Sequence, residues 1–111
     1  MDQYTIEKKL IEAVTNIEKY GVEYAVAKGK AYQLGRMREV VLAMEMKNYT
    51  GTNAYRQMEA LRSPKYILHL EGTAEAITDE QKTRALFERW KAQQETLRSL
   101  LSLEKQKAKI L

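Results

Sequence analysis

Few residues of this chain have side chains suited to acid–base, nucleophilic or metal chemistry near neutral pH. His69 is the only histidine among the 111 residues, and cysteine is absent. A zinc site needs several Cys or His ligands and a di-iron bundle needs Glu-x-x-His pairs, and neither pattern occurs. Gly29-Lys30 does not belong to a phosphate-binding loop, because Tyr24 and Ala31 stand where that loop requires Gly and Ser or Thr. We predict a non-enzyme without metal or cofactor, and interpret His69 as an ordinary helix-surface or interface residue.

Tyrosine and basic side chains form the second group with recognisable chemistry. The chain has seven Tyr, and its 19 Lys+Arg exceed its 15 Asp+Glu, which gives a net charge of +4. Such residues can stack on bases and neutralise phosphates of single-stranded nucleic acid. The candidate contact residues, in a segment without acidic residues, are Lys28, Lys30, Tyr32, Arg36 and Arg38. A helix would spread these charges around its axis, so a solvated basic face is the alternative interpretation.

Composition predicts an all-α protein with one domain over residues 1–111. Hydrophobic residues make up 44% and charged residues 31%, too apolar for a disordered chain and too charged for a membrane protein. One Pro and five Gly are too few turn formers for many short strands. The longest apolar run, residues 40–44, is far shorter than the ~18 residues of a membrane-spanning helix. Because the first residues also lack signal-peptide character, we expect a cytoplasmic protein without membrane contact.

Hydrophobic periodicity predicts two long helices with a short helix between them. Apolar residues recur in steps of four and three over residues 6–41, which predicts a first long helix over about residues 5–47. A turn over residues 48–53 and a short helix over about 53–62 follow, with Thr52 or Asn53 as its N-cap. Ser63-Pro64 suits an N-cap and a first helical position, so the second long helix is predicted over about 64–107.

Each long helix has a predicted apolar stripe. In the first helix the stripe comprises Ile6, Leu10, Ala13, Ile17, Tyr20, Tyr24, Ala27, Ala31, Leu34 and Val41. In the second helix it comprises Ile67, Leu70, Ala74 and Ile77 and then, after a phase shift, Leu86, Trp90, Leu97, Leu100 and Leu101. Two features stay open. In the first helix, glycines 21, 29 and 35 are either tolerated in the helix interior or mark a close approach of another helix, and a kink near Gly21 is the alternative. In the second helix, a capping-box pattern over residues 78–81 makes a break within residues 72–78 the alternative to one continuous helix.

Two antiparallel helices of this kind, a coiled-coil-like hairpin, would have a thin core. Apolar residues also occur outside the single stripes, so we predict that the chain self-associates, as a dimer or higher oligomer, into a helical bundle. The candidate interface residues are Tyr20, Tyr24, Leu34, Val41, Trp90, Leu97 and Leu101. Methionines expected at the surface, where they suit docking to a partner helix, are Met37, Met44, Met46 and Met58.

Four short segments of the chain are similar to segments of one known protein family. They are residues 30–34 (KAYQL), 38–43 (REVVLA), 63–72 (SPKYILHLEG) and 84–88 (RALFE). With them the chain resembles a family of small, largely uncharacterised helical proteins of tailed bacteriophages and prophages, over roughly residues 25–101. Leu97-Arg98 stands where that family often has Trp-Arg.

The resemblance implies an accessory role in phage DNA metabolism, because many such proteins are encoded beside recombination and replication functions. It supplies no catalytic residue. We therefore expect a non-enzymatic adaptor in DNA recombination or replication, in the host-cell cytoplasm, with a phage or host protein as partner. Two alternatives stay open: a phage assembly scaffold or chaperone, and a weak, sequence-nonspecific protein for single-stranded or duplex DNA. The DNA contacts would then include Lys105, Lys107 and Lys109.

Overall fold

The computed structural model describes residues 1–110. They form four helices: α1 (Gln3–Arg36), α2 (Arg38–Met46), α3 (Asn53–Leu61) and α4 (Pro64–Ile110). No strand occurs within residues 1–110, which confirms the all-α class. The contacts divide the chain into two compact units. Unit 1 comprises Met1–Ala25 with the residues from Lys82 onward, and unit 2 comprises Val26–Gln81.

Local capping chemistry starts the two later helices. The Thr52 hydroxyl accepts a hydrogen bond from the Tyr55 backbone N–H at 3.2 Å, so the first of the two predicted cap residues begins α3. The Ser63 hydroxyl accepts one from the Tyr66 N–H, also at 3.2 Å. Pro64 is the first residue of α4, a position where its missing N–H costs nothing.

The long helix predicted over residues 5–47 is interrupted at Met37, which separates α1 from α2. Met37 has φ −80° and ψ −7°, whereas a regular α-helix has ψ of about −42°. The hydrogen bonds nevertheless continue, because the Met37 N–H donates to the Gln33 carbonyl at 3.1 Å and the Met37 carbonyl accepts from the Val41 N–H at 2.9 Å. A one-residue change in ψ without Pro or Gly at that position leaves no mark in the sequence pattern.

The long helices are continuous at the other positions where the sequence left alternatives. Helix α1 continues without a break through Gly21, and α4 continues without a break through residues 72–78. A Cβ added to Gly21 would lie 3.1 Å from Cε1 of Phe87, so this glycine marks a close approach of two helices. A Cβ at Gly29 or Gly35 would meet nothing within 4 Å, so these two are tolerated interior glycines.

Unit 1 consists of the first part of α1 and the second part of α4. Ile6, Ala13 and Leu97 are buried in its core. The half-buried side chains packed against them are Leu10, Trp90, Leu100 and Leu101. Since Phe87 contacts Gly21 whereas Leu97 packs near the start of α1, the two helices run antiparallel within this unit.

Unit 2 has a small apolar core supplemented by polar contacts. Its buried apolar residues are Ala31, Ala60, Tyr66 and Ala76. Helix α2 packs against α3. The Arg38 Nε donates a hydrogen bond to the Tyr66 hydroxyl at 3.0 Å, which joins α2 to α4. His69 Nε2 lies 2.9 Å from the Leu34 carbonyl oxygen, which joins α4 to α1.

In unit 2, α4 packs through a different side from the one predicted. The predicted stripe residues Ile67, Leu70, Ala74 and Ile77 are all exposed. The buried and half-buried positions between residues 66 and 77 are instead Tyr66, His69, Gly72, Thr73 and Ala76. Two of these are polar, and each makes a hydrogen bond: His69 with the Leu34 carbonyl, and the Thr73 hydroxyl with the His69 carbonyl at 2.9 Å. Hydrophobic periodicity therefore predicted the wrong buried side for this part of α4.

The different surroundings of the glycines predict different effects of an added methyl group. Gly29→Ala should raise the free energy of unfolding by about 0.5–1 kcal/mol, because alanine has the higher helix propensity. Gly21→Ala should gain less, because its methyl group would lie 3.1 Å from the Phe87 ring. Urea denaturation of the two variants measures the difference. Equal stabilisation by both would contradict the close helix approach at Gly21.

Candidate functional site

The residues predicted to contact nucleic acid lie at the surface of both units. In unit 2 the exposed side chains are those of Lys28, Lys30, Tyr32, Arg36 and Arg38, and in unit 1 Lys105, Lys107 and Lys109 are exposed near the end of α4. The Arg36 guanidinium lies 5.6 Å from the centroid of the Tyr32 ring, within the distance of a cation–π contact. The structure therefore places one predicted cation against the predicted aromatic residue.

Two of the predicted cations, Arg36 and Arg38, also line one cleft, which we call the arginine groove. Its volume is about 790 Å³. The end of α1, helices α2 and α3, and the start of α4 contribute its residues. They are Gly35, Arg36, Arg38, Glu39, Leu42, Gln57, Leu61 and Tyr66. Lys28 and Lys30 do not line this groove.

Arg38 is positioned in the groove by Tyr66. The Tyr66 side chain is buried, and its hydroxyl accepts the hydrogen bond from Arg38 Nε. This hydrogen bond raises the pKa of Arg38 above its ordinary value. The backbone N–H of Tyr66 is held in turn by the Ser63 cap. The first turn of α4 thus fixes the place of a cation on α2.

The chemistry of the arginine groove is that of a binding surface. Arg36 and Arg38 are cations and Glu39 is an anion, so the charged lining carries one net positive charge. Gln57 adds an amide, and aliphatic residues complete the lining. Such a set can hold an anionic or hydrogen-bonding ligand by charge-assisted hydrogen bonds. Sequence analysis missed Gln57 and Tyr66 as lining residues, because they come from helices distant in the chain.

A second surface in unit 2 is apolar. Met37, Val40 and Met44 follow one another in steps of three and four, so they share one side of the chain at α2. They are 48%, 51% and 60% exposed, and we call them the methionine face. A shallow depression of about 360 Å³ is lined by Gln33, Arg36, Met37 and Val40. Of the other methionines expected at the surface, Met58 is exposed and Met46 is half-buried.

The predicted subunit-interface residues are covered within the chain itself. In unit 1, Leu97 is buried and the others are half-buried, namely Tyr20, Tyr24, Trp90 and Leu101. In unit 2, Leu34 and Val41 are half-buried. Packing inside one chain therefore covers these residues wholly or in part. Their role between subunits stays a prediction.

His69 makes a contact between two helices. Its ring is half-buried, and Nε2 lies 2.9 Å from the Leu34 carbonyl oxygen. Within the described part of the chain, no group of three or more His, Cys, Asp or Glu side chains could hold a metal ion. Throughout residues 1–110, each helix is too short or too polar to cross a membrane.

Comparison with models of protein families, with curated protein sequences and with solved structures finds no match to this chain. The resemblance to phage proteins therefore stays a prediction. The candidate binding surfaces of unit 2 are the arginine groove and the methionine face.

The contact of His69 predicts which ring nitrogen carries the proton. A carbonyl oxygen accepts only, so Nε2 must be the donor and the neutral ring must be the Nε2–H tautomer. Long-range ¹H–¹⁵N correlation NMR at a pH where the ring is neutral distinguishes the two tautomers. The urea-unfolded chain supplies the reference spectrum. An Nδ1–H tautomer in the folded chain would contradict the hydrogen bond between α4 and α1.

Proposed function

We propose that this chain is a non-enzymatic helical adaptor that binds a partner protein through the methionine face. The observation that carries the proposal is the exposure of Met37, Val40 and Met44 together on one side of α2. Exposed apolar side chains grouped in this way are typical of protein-interaction surfaces. Methionine is unbranched and polarisable, so it adapts to a partner surface at small cost.

The chemistry of the methionine face defines the kind of partner. An amphipathic helix with apolar residues in steps of three and four would match the spacing of the three side chains. Arg36 lines the depression beside Met37 and Val40. An acidic residue at the edge of the partner's apolar side would therefore gain a charge-assisted hydrogen bond. The sequence resemblance alone supports placing this adaptor in phage DNA recombination or replication.

A second candidate function is weak, sequence-nonspecific binding of DNA. The arginine groove favours it, because Arg36 and Arg38 lie in one cleft and Arg36 also lies within cation–π distance of the Tyr32 ring. Arginine side chains bind phosphates bidentately, and exposed tyrosines stack on bases. A single strand could thus be held by its backbone in the groove and by one base at Tyr32.

The adaptor function predicts that a charge in the methionine face abolishes partner binding. Photo-crosslinking from residue 40 in cell extract first identifies the partner, and calorimetry then measures its binding to the purified chain. Val40→Glu should weaken this binding at least about tenfold, because the interface would bury an unpaired carboxylate. Val22→Glu is the matched control, since Val22 is a 65% exposed helical valine in unit 1. Equal affinities of the two variants would contradict the proposal.

The DNA-binding candidate predicts a smaller salt dependence when its two arginines are neutralised. Fluorescence anisotropy with labelled single-stranded DNA gives the slope of log affinity against log salt concentration. The double variant Arg36→Gln/Arg38→Gln should reduce that slope by about 1.4, because each phosphate contact on a single strand contributes about 0.7. The control Lys8→Gln/Lys9→Gln removes the same charge from the exposed start of α1. If both double variants reduce the slope equally, the groove is not the binding site.

A further inference from the structure

The Tyr66 hydroxyl keeps a hydrogen-bond donor for the arginine groove. The Tyr66 side chain is 2% exposed and lines the groove, and its oxygen accepts the hydrogen bond from Arg38 Nε at 3.0 Å. A phenol donates one hydrogen bond as well as accepting one, and among residues 1–110 no acceptor takes the Tyr66 proton. An acceptor that enters the groove therefore gains a hydrogen bond from a group that the surrounding helices already hold in place.

The two arginines of the groove also keep donors. Arg38 uses only Nε for Tyr66, which leaves both terminal nitrogens of its guanidinium. Within the described part of the chain neither Arg36 nor Arg38 forms an ion pair, although Glu39 lines the same groove. The Arg36 guanidinium lies instead 5.6 Å from the centroid of the Tyr32 ring. The charges of both arginines are thus available to a ligand.

This set of donors favours a carboxylate as the ligand group. A carboxylate only accepts hydrogen bonds, and its two oxygens match the paired N–H groups of an arginine. Two arginines and Glu39 give the charged lining one net positive charge, which equals the charge of one carboxylate in magnitude. A strand of phosphates would bring more negative charge than this lining compensates. Leu42 and Leu61 also line the groove and suit the aliphatic part of an acidic side chain.

We infer that the arginine groove binds a glutamate or aspartate side chain of a protein segment, whose carboxylate accepts hydrogen bonds from Arg38 and from the Tyr66 hydroxyl. A cleft of about 790 Å³ is far larger than one carboxylate and lies in the size range of sites that hold whole ligands. Arg36 lines both this groove and the depression beside the methionine face, so one segment can extend from one to the other. The groove is a site in addition to the methionine face, and the inference does not require that face to bind.

The test removes one hydroxyl group and no charge. Fluorescence anisotropy measures how a labelled peptide of alternating alanine and glutamate binds to the purified chain. Tyr66→Phe should weaken this binding about tenfold, because the carboxylate loses one donor and Arg38 loses the acceptor that positions it. Tyr55→Phe is the matched control, since Tyr55 is a 48% exposed tyrosine of α3 outside the groove lining. Equal affinities of the two variants overturn the inference, because attraction by net charge is the same in both.

Three further ligands distinguish the sources of the negative charge. The peptide with glutamine in place of glutamate should bind at least about tenfold more weakly, because its amides are neutral. Acetate should displace the glutamate peptide only at concentrations far above the dissociation constant of the peptide. A labelled oligothymidylate should bind Tyr66→Phe and the wild type equally. Displacement by acetate as effective as by unlabelled peptide, or a loss in Tyr66→Phe seen for the oligothymidylate and not for the peptide, overturns the inference.

A surface substitution serves if Tyr66→Phe fails to fold. Gln57 is exposed and lines the groove, so Gln57→Glu cancels the net positive charge of the lining without a change in the core. The glutamate peptide should bind this variant about fivefold more weakly. Gln93→Glu makes the same change at an exposed position of unit 1 and should bind like the wild type. Equal effects of both variants overturn the inference, and since the probes are peptides, this failure is distinct from a failure of Val40→Glu to affect partner binding.

Discussion

The rest of the structure depends on one line of side chains on each long helix. In each line, buried and half-buried residues repeat in steps of three and four. On α1 the buried and half-buried line comprises Ile6, Leu10, Ala13, Ile17, Tyr20, Tyr24, Ala27, Ala31 and Leu34. On α4 it comprises Tyr66, His69, Thr73, Ala76, Glu80, Thr83, Phe87, Trp90, Gln94, Leu97 and Leu101. A line of this period covers only one narrow side of a helix, so most of the surface of each helix lies outside the line. The small cores of both units and the many exposed apolar residues follow from this geometry.

The line on α1 could be predicted residue by residue, whereas the first half of the line on α4 could not. Every member of the α1 line is apolar or a tyrosine, so hydrophobic periodicity predicts the whole line. On α4 the line includes the polar residues His69 and Thr73, and His69 contacts the Leu34 carbonyl oxygen, a tertiary contact that no local sequence pattern displays. The apolar residues beside them gave the stronger hydrophobic pattern, so the wrong side of α4 was predicted to be buried. The caps were predictable, because Ser63 and its proline neighbour act within one helical turn.

The candidate site was predictable only in part, for a related reason. Sequence analysis selected Arg36 and Arg38 together with two lysines as candidate cations, and of these four only the arginines line the arginine groove. The hydrogen bond from Arg38 to Tyr66 holds Arg38 at the cleft that Arg36 also lines. This is a tertiary contact, since a residue 28 positions away supplies the acceptor. The lining of the arginine groove therefore follows from the fold and not from any motif.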